Sequence, residues 1–245
     1  MPHRPSLSPL LPLRPFARWW SAGLRLARRA PFRIFVASLL PLLIEALLQL
    51  IPSIGMLLSK LLTPLFASGS LVALSRLDLR REWRWSDLIS AFSANHRARA
   101  FRWSLLMSVV WLSQSAIALV LYGTEGLRAL LLGERISQMA TPAFALAVIL
   151  PGLVLSIPLM ISGPLLILEG RGATDSLRSS LRWAVRFWPS VLSYAMASAL
   201  LFSAGLALSP LILLVGIPLL FTSSYCAYRA AFADLPEHRE SPWTT

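Results

Sequence analysis

Long parts of this chain lack charge. No Asp, Glu, Lys or Arg occurs between Phe187 and Tyr228, or between Ile136 and Leu168. Those runs of 42 and 33 residues exceed any need of a water-soluble core, because about 20 apolar residues already cross the hydrocarbon of a bilayer. Acid is scarce as well: 11 Asp and Glu against 23 Lys and Arg give a formal charge of +12. So basic a chain suggests a nucleic-acid binder, but a mean hydropathy of +0.65 is too apolar for a soluble one of this size. The single cysteine, Cys226, excludes an intramolecular disulfide and any zinc cluster built on thiolates. The three histidines, His3, His96 and His238, fall in separate segments, and neither H-E-x-x-H, G-x-S-x-G nor a phosphate-cradling glycine loop occurs. The expectation is a polytopic membrane protein that is not an enzyme and needs no cofactor or metal.

The apolar residues divide into six expected spans: Phe32 to Ile51, Ile54 to Leu74, Trp103 to Tyr122, Val148 to Leu168, Pro189 to Leu208 and Pro210 to Tyr228. Pro52 and Ser53 separate the first two, and Ser209 and Pro210 the last two, so each of these pairs reads as a tight hairpin. Twenty of the 23 Lys and Arg fall on one side of this arrangement, and cytoplasmic loops keep an excess of such residues. Both termini are therefore expected in the cytoplasm. Pro2, Pro5, Pro9, Pro12 and Pro15 interrupt the first fifteen residues, which lack the unbroken apolar core of a signal peptide and read as a disordered leader.

An internal repeat is the strongest pattern. P-L-F-A-S-G from Pro64 to Gly69, P-L-M-I-S-G from Pro158 to Gly163, and P-L-L-F-T-S from Pro218 to Ser223 occupy the second, fourth and sixth spans. Arg76, Arg171 and Arg229 follow these prolines by 12, 13 and 11 residues. An amphipathic stretch precedes each hairpin: one around Phe16, Trp20, Leu24 and Ala27, one from Asp87, read as a helix cap, and one from Asp175 through Trp188. The fold class expected is thus all-α, a membrane bundle of three tandem hairpins, each with a cytoplasmic interfacial helix. Residues 1–15 form the leader, 16–234 the membrane domain with modules of about 16–78, 79–172 and 173–234, and 235–245 the tail. An outer insertion of about Gly123 to Ala147 belongs to the second module.

Pro64, Pro158 and Pro218 permit kinks, and Ser68 with Gly69, Ser162 with Gly163, and Thr222 with Ser223 let neighbouring helices approach closely. These positions read either as packing devices or as the wall of a central cavity. Arg18, Trp19, Arg25 and Arg28 before the first hairpin, and Arg178, Arg182, Trp183 and Arg186 before the third, are candidate contacts to anionic lipid headgroups. Their place immediately before spans favours lipid over nucleic acid. Glu45 and Lys60 lie at similar distance from the first turn, so a charged pair inside the membrane is expected, structural or part of a proton or substrate relay.

R-L-A-R-R-A-P at Arg25, I-P-S-I-G at Ile51, T-P-L-F-A-S-G at Thr63, W-S-D-L at Trp85 and S-S-Y-C-A-Y-R-A-A-F-A-D from Ser223 carry a resemblance. Over residues 16–234 the chain resembles an uncharacterised family of proteobacterial inner-membrane proteins. That resemblance implies a bacterial inner membrane and supplies no catalytic residues. The function expected is a scaffold or envelope-associated factor bound to anionic lipids, with a membrane-protein partner or a second copy of the chain as further partners. A small transporter or lipid-handling permease is the alternative.

Overall fold

A computed structural model describes residues 14–52, 54–80, 82–94, 96–132, 152, 155–156, 159–209 and 211–233. Among these the chain is all-α, with no strand. Helix α1 is Arg14–Arg29, and Ala30 alone separates it from α2, Pro31–Gln49, where proline takes the first helical position that needs no N–H donor. Helix α3, Gly55–Arg80, returns from the far end. A 3-10 helix, Trp85–Phe92, leads into α4, Arg97–Leu132. A short α5, Ser162–Ile167, precedes α6, Ala173–Arg186, and α7, Trp188–Ala207. Helix α8, Leu211–Tyr228, continues as a π-helical turn, Arg229–Ala233.

Helices α2, α3 and α4, and α8 with its π-helical turn, are long and apolar enough to cross a membrane. Helices α6 and α7 meet at 96° and supply a fifth candidate when taken as one broken span. The described residues therefore carry four or five candidate spans where six were expected. Eight of the 21 residues of the fourth expected span, Pro158 among them, lie outside the described residues, as do residues 1–13, Pro210 and the tail. Helix α4 breaks at the non-helical Gly123, just past the expected end of the third span, and a further helical stretch to Leu132 follows the kink as the described part of the expected insertion. Gly123 has φ +65° with nothing near its absent Cβ, so the helix axis breaks there at little cost.

The distribution of side-chain sizes suits lipid surroundings. Leu43, Leu47, Val109, Val120, Met196, Leu200 and Val215 are exposed, whereas Ser59, Ser68, Ser70, Ala73, Ser104, Thr222 and Ser223 are buried. Small residues allow backbones to approach closely where lipid gives no hydrophobic drive between helices, while large apolar ones face the acyl chains. The buried hydroxyls mostly donate to carbonyls of their own helix, as Ser68 does to Leu65 and Thr222 to Pro218.

The modules interlock. The 3-10 helix of the second lies on α3 of the first, α6 of the third lies on α5 of the second, and α1 of the first closes the arrangement on α8 of the third. Each interfacial element thus rests on the return helix of the module before it. The second departs from expectation in form, being a 3-10 helix, and Asp87 sits inside it and caps nothing. Its carboxylate is engaged elsewhere.

Candidate functional site

Most of the charged chemistry collects at the Arg-rich end of the bundle. The three arginines marked by the repeat each meet a carboxylate there. Arg76 Nη1 lies 2.6 Å from Asp87 Oδ1, Arg171 Nε 2.6 Å from Glu169 Oε2, and Arg229 Nη1 2.8 Å from Asp78 Oδ2. Asp78 also accepts from the Tyr225 hydroxyl at 3.3 Å and lies 3.7 Å from Arg29, while Glu169 accepts from the Tyr228 hydroxyl at 2.9 Å. Asp78 therefore joins α1, α3 and α8 at one point. Glu169 joins the end of α5 to α8, and the Arg171 guanidinium stands over the Phe232 ring at 5.5 Å.

Local backbone geometry holds these groups in place. After α5 the chain turns at Gly170, with φ +70°, a left-handed conformation that favours glycine, and Arg171 N–H donates back to Leu165 O. The Arg99 guanidinium packs on this turn where a Gly170 Cβ would stand, its Cζ only 2.7 Å away from that position. Near the 3-10 helix, burial pushes the Asp87 carboxyl up, with Arg76 and then Arg84 opposing. Burial, followed by Arg99 and Arg76, holds the His96 ring below its ordinary value. Desolvation outweighs the favourable charges at Asp87 because few waters reach it.

The small pairs of the repeat are contact points, between modules at Gly69 and Ser223 and within the second module at Gly163. A Cβ on Gly69 would collide with the Leu88 carbonyl of the 3-10 helix, and one on Gly163 would fall 2.9 Å from the Trp103 ring. Gly23 of α1 sits against Ser223, where a Cβ would come 2.9 Å from the Ser223 Cα. Ser68, Ser162 and Thr222 are buried beside them, and Pro64 and Pro218 lie inside α3 and α8. Gly23 was not singled out by the sequence, since it lies outside the repeated motif it fits.

Toward the far end, Lys60 Nζ and Glu45 Oε1 form the expected ion pair across α2 and α3. Gln49 Nε2 also donates to Glu45 Oε1 at 3.1 Å and approaches Ser59 Oγ at 3.5 Å. Gln49 and Ser59 extend the pair into a four-residue polar patch. One turn of helix separates Gln49 from Glu45, a spacing that could have marked it.

The candidate headgroup residues divide. Arg18, Arg25, Arg28, Arg178, Arg182 and Arg186 are exposed. Trp19 and Trp183 are not available to headgroups: they are buried, 4% and 6% exposed, with ring centroids 5.3 Å apart. They join α1 to α6. At 100° per residue both helices show the same three sectors. Trp19, Gly23 and Leu26 of α1, and Ser176, Ser180 and Trp183 of α6, face the protein. An apolar flank follows, with Leu24 on α1 and Leu181 and Val185 on α6 exposed. The cationic flank comes next in the same rotational sense, Arg18, Arg25 and Arg28 on one and Arg178, Arg182 and Arg186 on the other.

Among the described residues no group of three His, Cys, Asp or Glu comes together as a metal site. No protein-family model, curated protein or solved structure significantly matches the chain.

Proposed function

We propose that this chain is a non-enzymatic integral protein of a bacterial inner membrane, a scaffold or envelope-associated factor that holds anionic phospholipid headgroups on α1 and α6. The single observation that carries the reading is the shared three-sector division of those helices. A helix with one face on protein, one flank apolar and the next cationic satisfies all its surfaces only at the boundary between hydrocarbon and headgroups. The excess of arginine at that end supports placing it, with both termini, in the cytoplasm, where anionic lipid gives the surface a negative potential. The motifs resembling a proteobacterial inner-membrane family point to the same compartment. Homo-oligomers and membrane-protein partners fit a scaffold and belong to this proposal.

The test uses the full chain in nanodiscs of phosphatidylcholine with phosphatidylglycerol, with the lipids that survive release counted by native mass spectrometry. Replacing Arg18, Arg25 and Arg28, or Arg178, Arg182 and Arg186, by Gln should cost roughly 1 kcal/mol per arginine. Retention of phosphatidylglycerol should therefore weaken by about two powers of ten for each triple variant. Unchanged retention in both would overturn the reading. Movement of labelled lipid or solute across vesicles by the reconstituted protein would replace it with that of a small transporter or lipid-handling permease.

A further inference from the structure

The polar patch on the first hairpin stands on a surface that is otherwise apolar. Along α2, Leu42 and Leu43 are exposed before it and Leu47 and Leu50 beside and beyond it, while Leu57 is exposed on α3 one turn from Lys60. Both helices are long and apolar enough to cross a membrane. Charge bracketed in this way lies among acyl chains, where it is stable only if paired. Lys60 turns to Glu45 at its own level rather than along the helix to a headgroup.

The internal pair leaves hydrogen-bonding capacity over. Glu45 Oε1 takes both the Lys60 ammonium and the Gln49 amide. Glu45 Oε2, Gln49 Oε1 and two of the three Lys60 N–H groups engage no other group among the described residues. Gln49 is exposed, and the side chains of Lys60 and Glu45 are 34% and 19% exposed. Lipid tails offer these atoms no hydrogen bond, so a second protein surface that meets them is held by them.

Symmetry selects the partner. A patch of one charge sign calls for an unlike chain, but this one is neutral, with acid and base at one level on adjacent helices. Copies inserted in one orientation are related by a two-fold axis along the membrane normal, which keeps every residue at its level. An axis through the seam between α2 and α3 sets α2 of each copy against α3 of the other. Glu45 of each copy then faces Lys60 of the other. Ala46, exposed and small, shares this flank of α2 with Leu42 and Gln49, at spacings of four and three residues, and lets the helices approach closely.

We propose that the seam of the first hairpin is a docking surface for a second copy of this chain, joined by exchange of the Glu45, Gln49 and Lys60 groups across a two-fold axis. The scaffold of the proposed function thereby has its own self-association surface. The pairing rests on the membrane placement in that reading, and not on lipid binding by α1 and α6.

Two differently tagged full chains test it, both with Cys226→Ser, co-expressed in a bacterial host so that they insert alike. One carries Ala46→Cys and the other Leu57→Cys, positions about 3 Å apart in level when α2 of one copy faces α3 of the other. An oxidant applied to the membranes should yield a disulfide that carries both tags. In a second pair, one chain also carries Glu45→Lys with Lys60→Glu, which preserves the ion pair inside that copy and sets like charges against the unaltered one. The yield should fall roughly tenfold, since two contacts of typical strength between membrane helices are lost, and should return when both chains carry the exchange. No disulfide between copies overturns the inference and leaves the seam to lipid. Disulfides from either cysteine to other membrane proteins, with none between copies, overturn it in favour of an unlike partner. Equal yield in mixed and matched pairs overturns it too, as does failure of the exchanged chains to pair with each other. Phosphatidylglycerol retention is read on variants of α1 and α6, so failure here and failure of the proposed function are told apart.

Discussion

At the scale of single residues, the acids are as informative as the arginines that outnumber them. Five of the acidic residues, Glu45, Asp78, Glu82, Asp87 and Glu169, pair with a base. Asp78 has the largest share of work, since Arg229, Arg29 and Tyr225 all converge on it. Asp78→Asn keeps the shape and removes the charge, and with it the ion pair that Arg229 makes at 2.8 Å. Hydrogen bonds to charged groups contribute about 1.5–3 kcal/mol, and with Asp78 and Arg229 21% and 31% exposed some of that is screened by solvent. The expected loss is about 1–2 kcal/mol, read as a lower melting temperature in nanodiscs. Glu82→Gln is the control. Its partner Arg84 is 3.5 Å away with both side chains well exposed, and the change should stay within about 0.5 kcal/mol. Equal effects of the two variants would mean that Asp78 is no junction. The sequence made the arginines of this layer legible through their constant distance from proline. It did not make their partners legible. Glu169 is two residues from Arg171, but Asp78 and Arg229 are distant in the chain and meet only because α8 passes beside α3 and α1.

At the scale of elements, the repeat motif predicted close approach and left open which element approaches. Gly69 shows the difference. Its sequence context, following a serine one turn after a proline, is a signature of a helix surface cleared for a neighbour. That the neighbour is the backbone of a 3-10 helix depends on the path of residues 82–94, which no periodicity of 3.6 describes. The expectation of an α-helix capped by Asp87 failed for the same reason: the carboxylate gains more from Arg76 than from free backbone N–H groups. Gly69→Ala should force the 3-10 helix away from α3, because the obstructing atom is a carbonyl oxygen and not the mobile end of a side chain. Overpacking of this kind costs about 1–3 kcal/mol. Gly172→Ala is the matched comparison, since the nearest atom to its new methyl is Asp175 Oδ2 at an ordinary 3.6 Å. Thermal unfolding of both in nanodiscs should separate them by at least about 1 kcal/mol. Equal stability would show that the 3-10 helix yields without cost.

At the scale of the whole molecule, the interlocking of modules makes the first helix dependent on the last. Helix α1 does not sit on its own hairpin but on α8, with Gly23 against Ser223 and Arg29 reaching toward Asp78. Charge counting and apolar runs reveal that the modules exist, because those signals are local. They carry nothing about closure, which depends on contacts between residues some two hundred positions apart. Closure can nonetheless be read from one atom. Cys226 is the only thiol in the chain and lies on α8, half-buried, three residues beyond Ser223. A bulky side chain at residue 23 should lift α1 from α8 and expose it. Gly23→Leu cannot be accommodated by a rotamer change, since the Ser223 backbone itself lies within 3 Å of the new Cβ. If the strain amounts to about 1–3 kcal/mol, the population of the opened form rises by roughly ten- to a hundredfold, and thiol modification that proceeds through local opening rises with it. The measurement is the rate at which a small maleimide labels Cys226 in nanodiscs, with Leu24→Ala as a variant that alters the apolar flank of α1 and leaves its seat intact. A tenfold or greater acceleration in Gly23→Leu, with little change in Leu24→Ala, is the expected outcome. Equal rates in both would mean that α1 does not cover α8, and that the modules are joined in sequence without being closed into a ring.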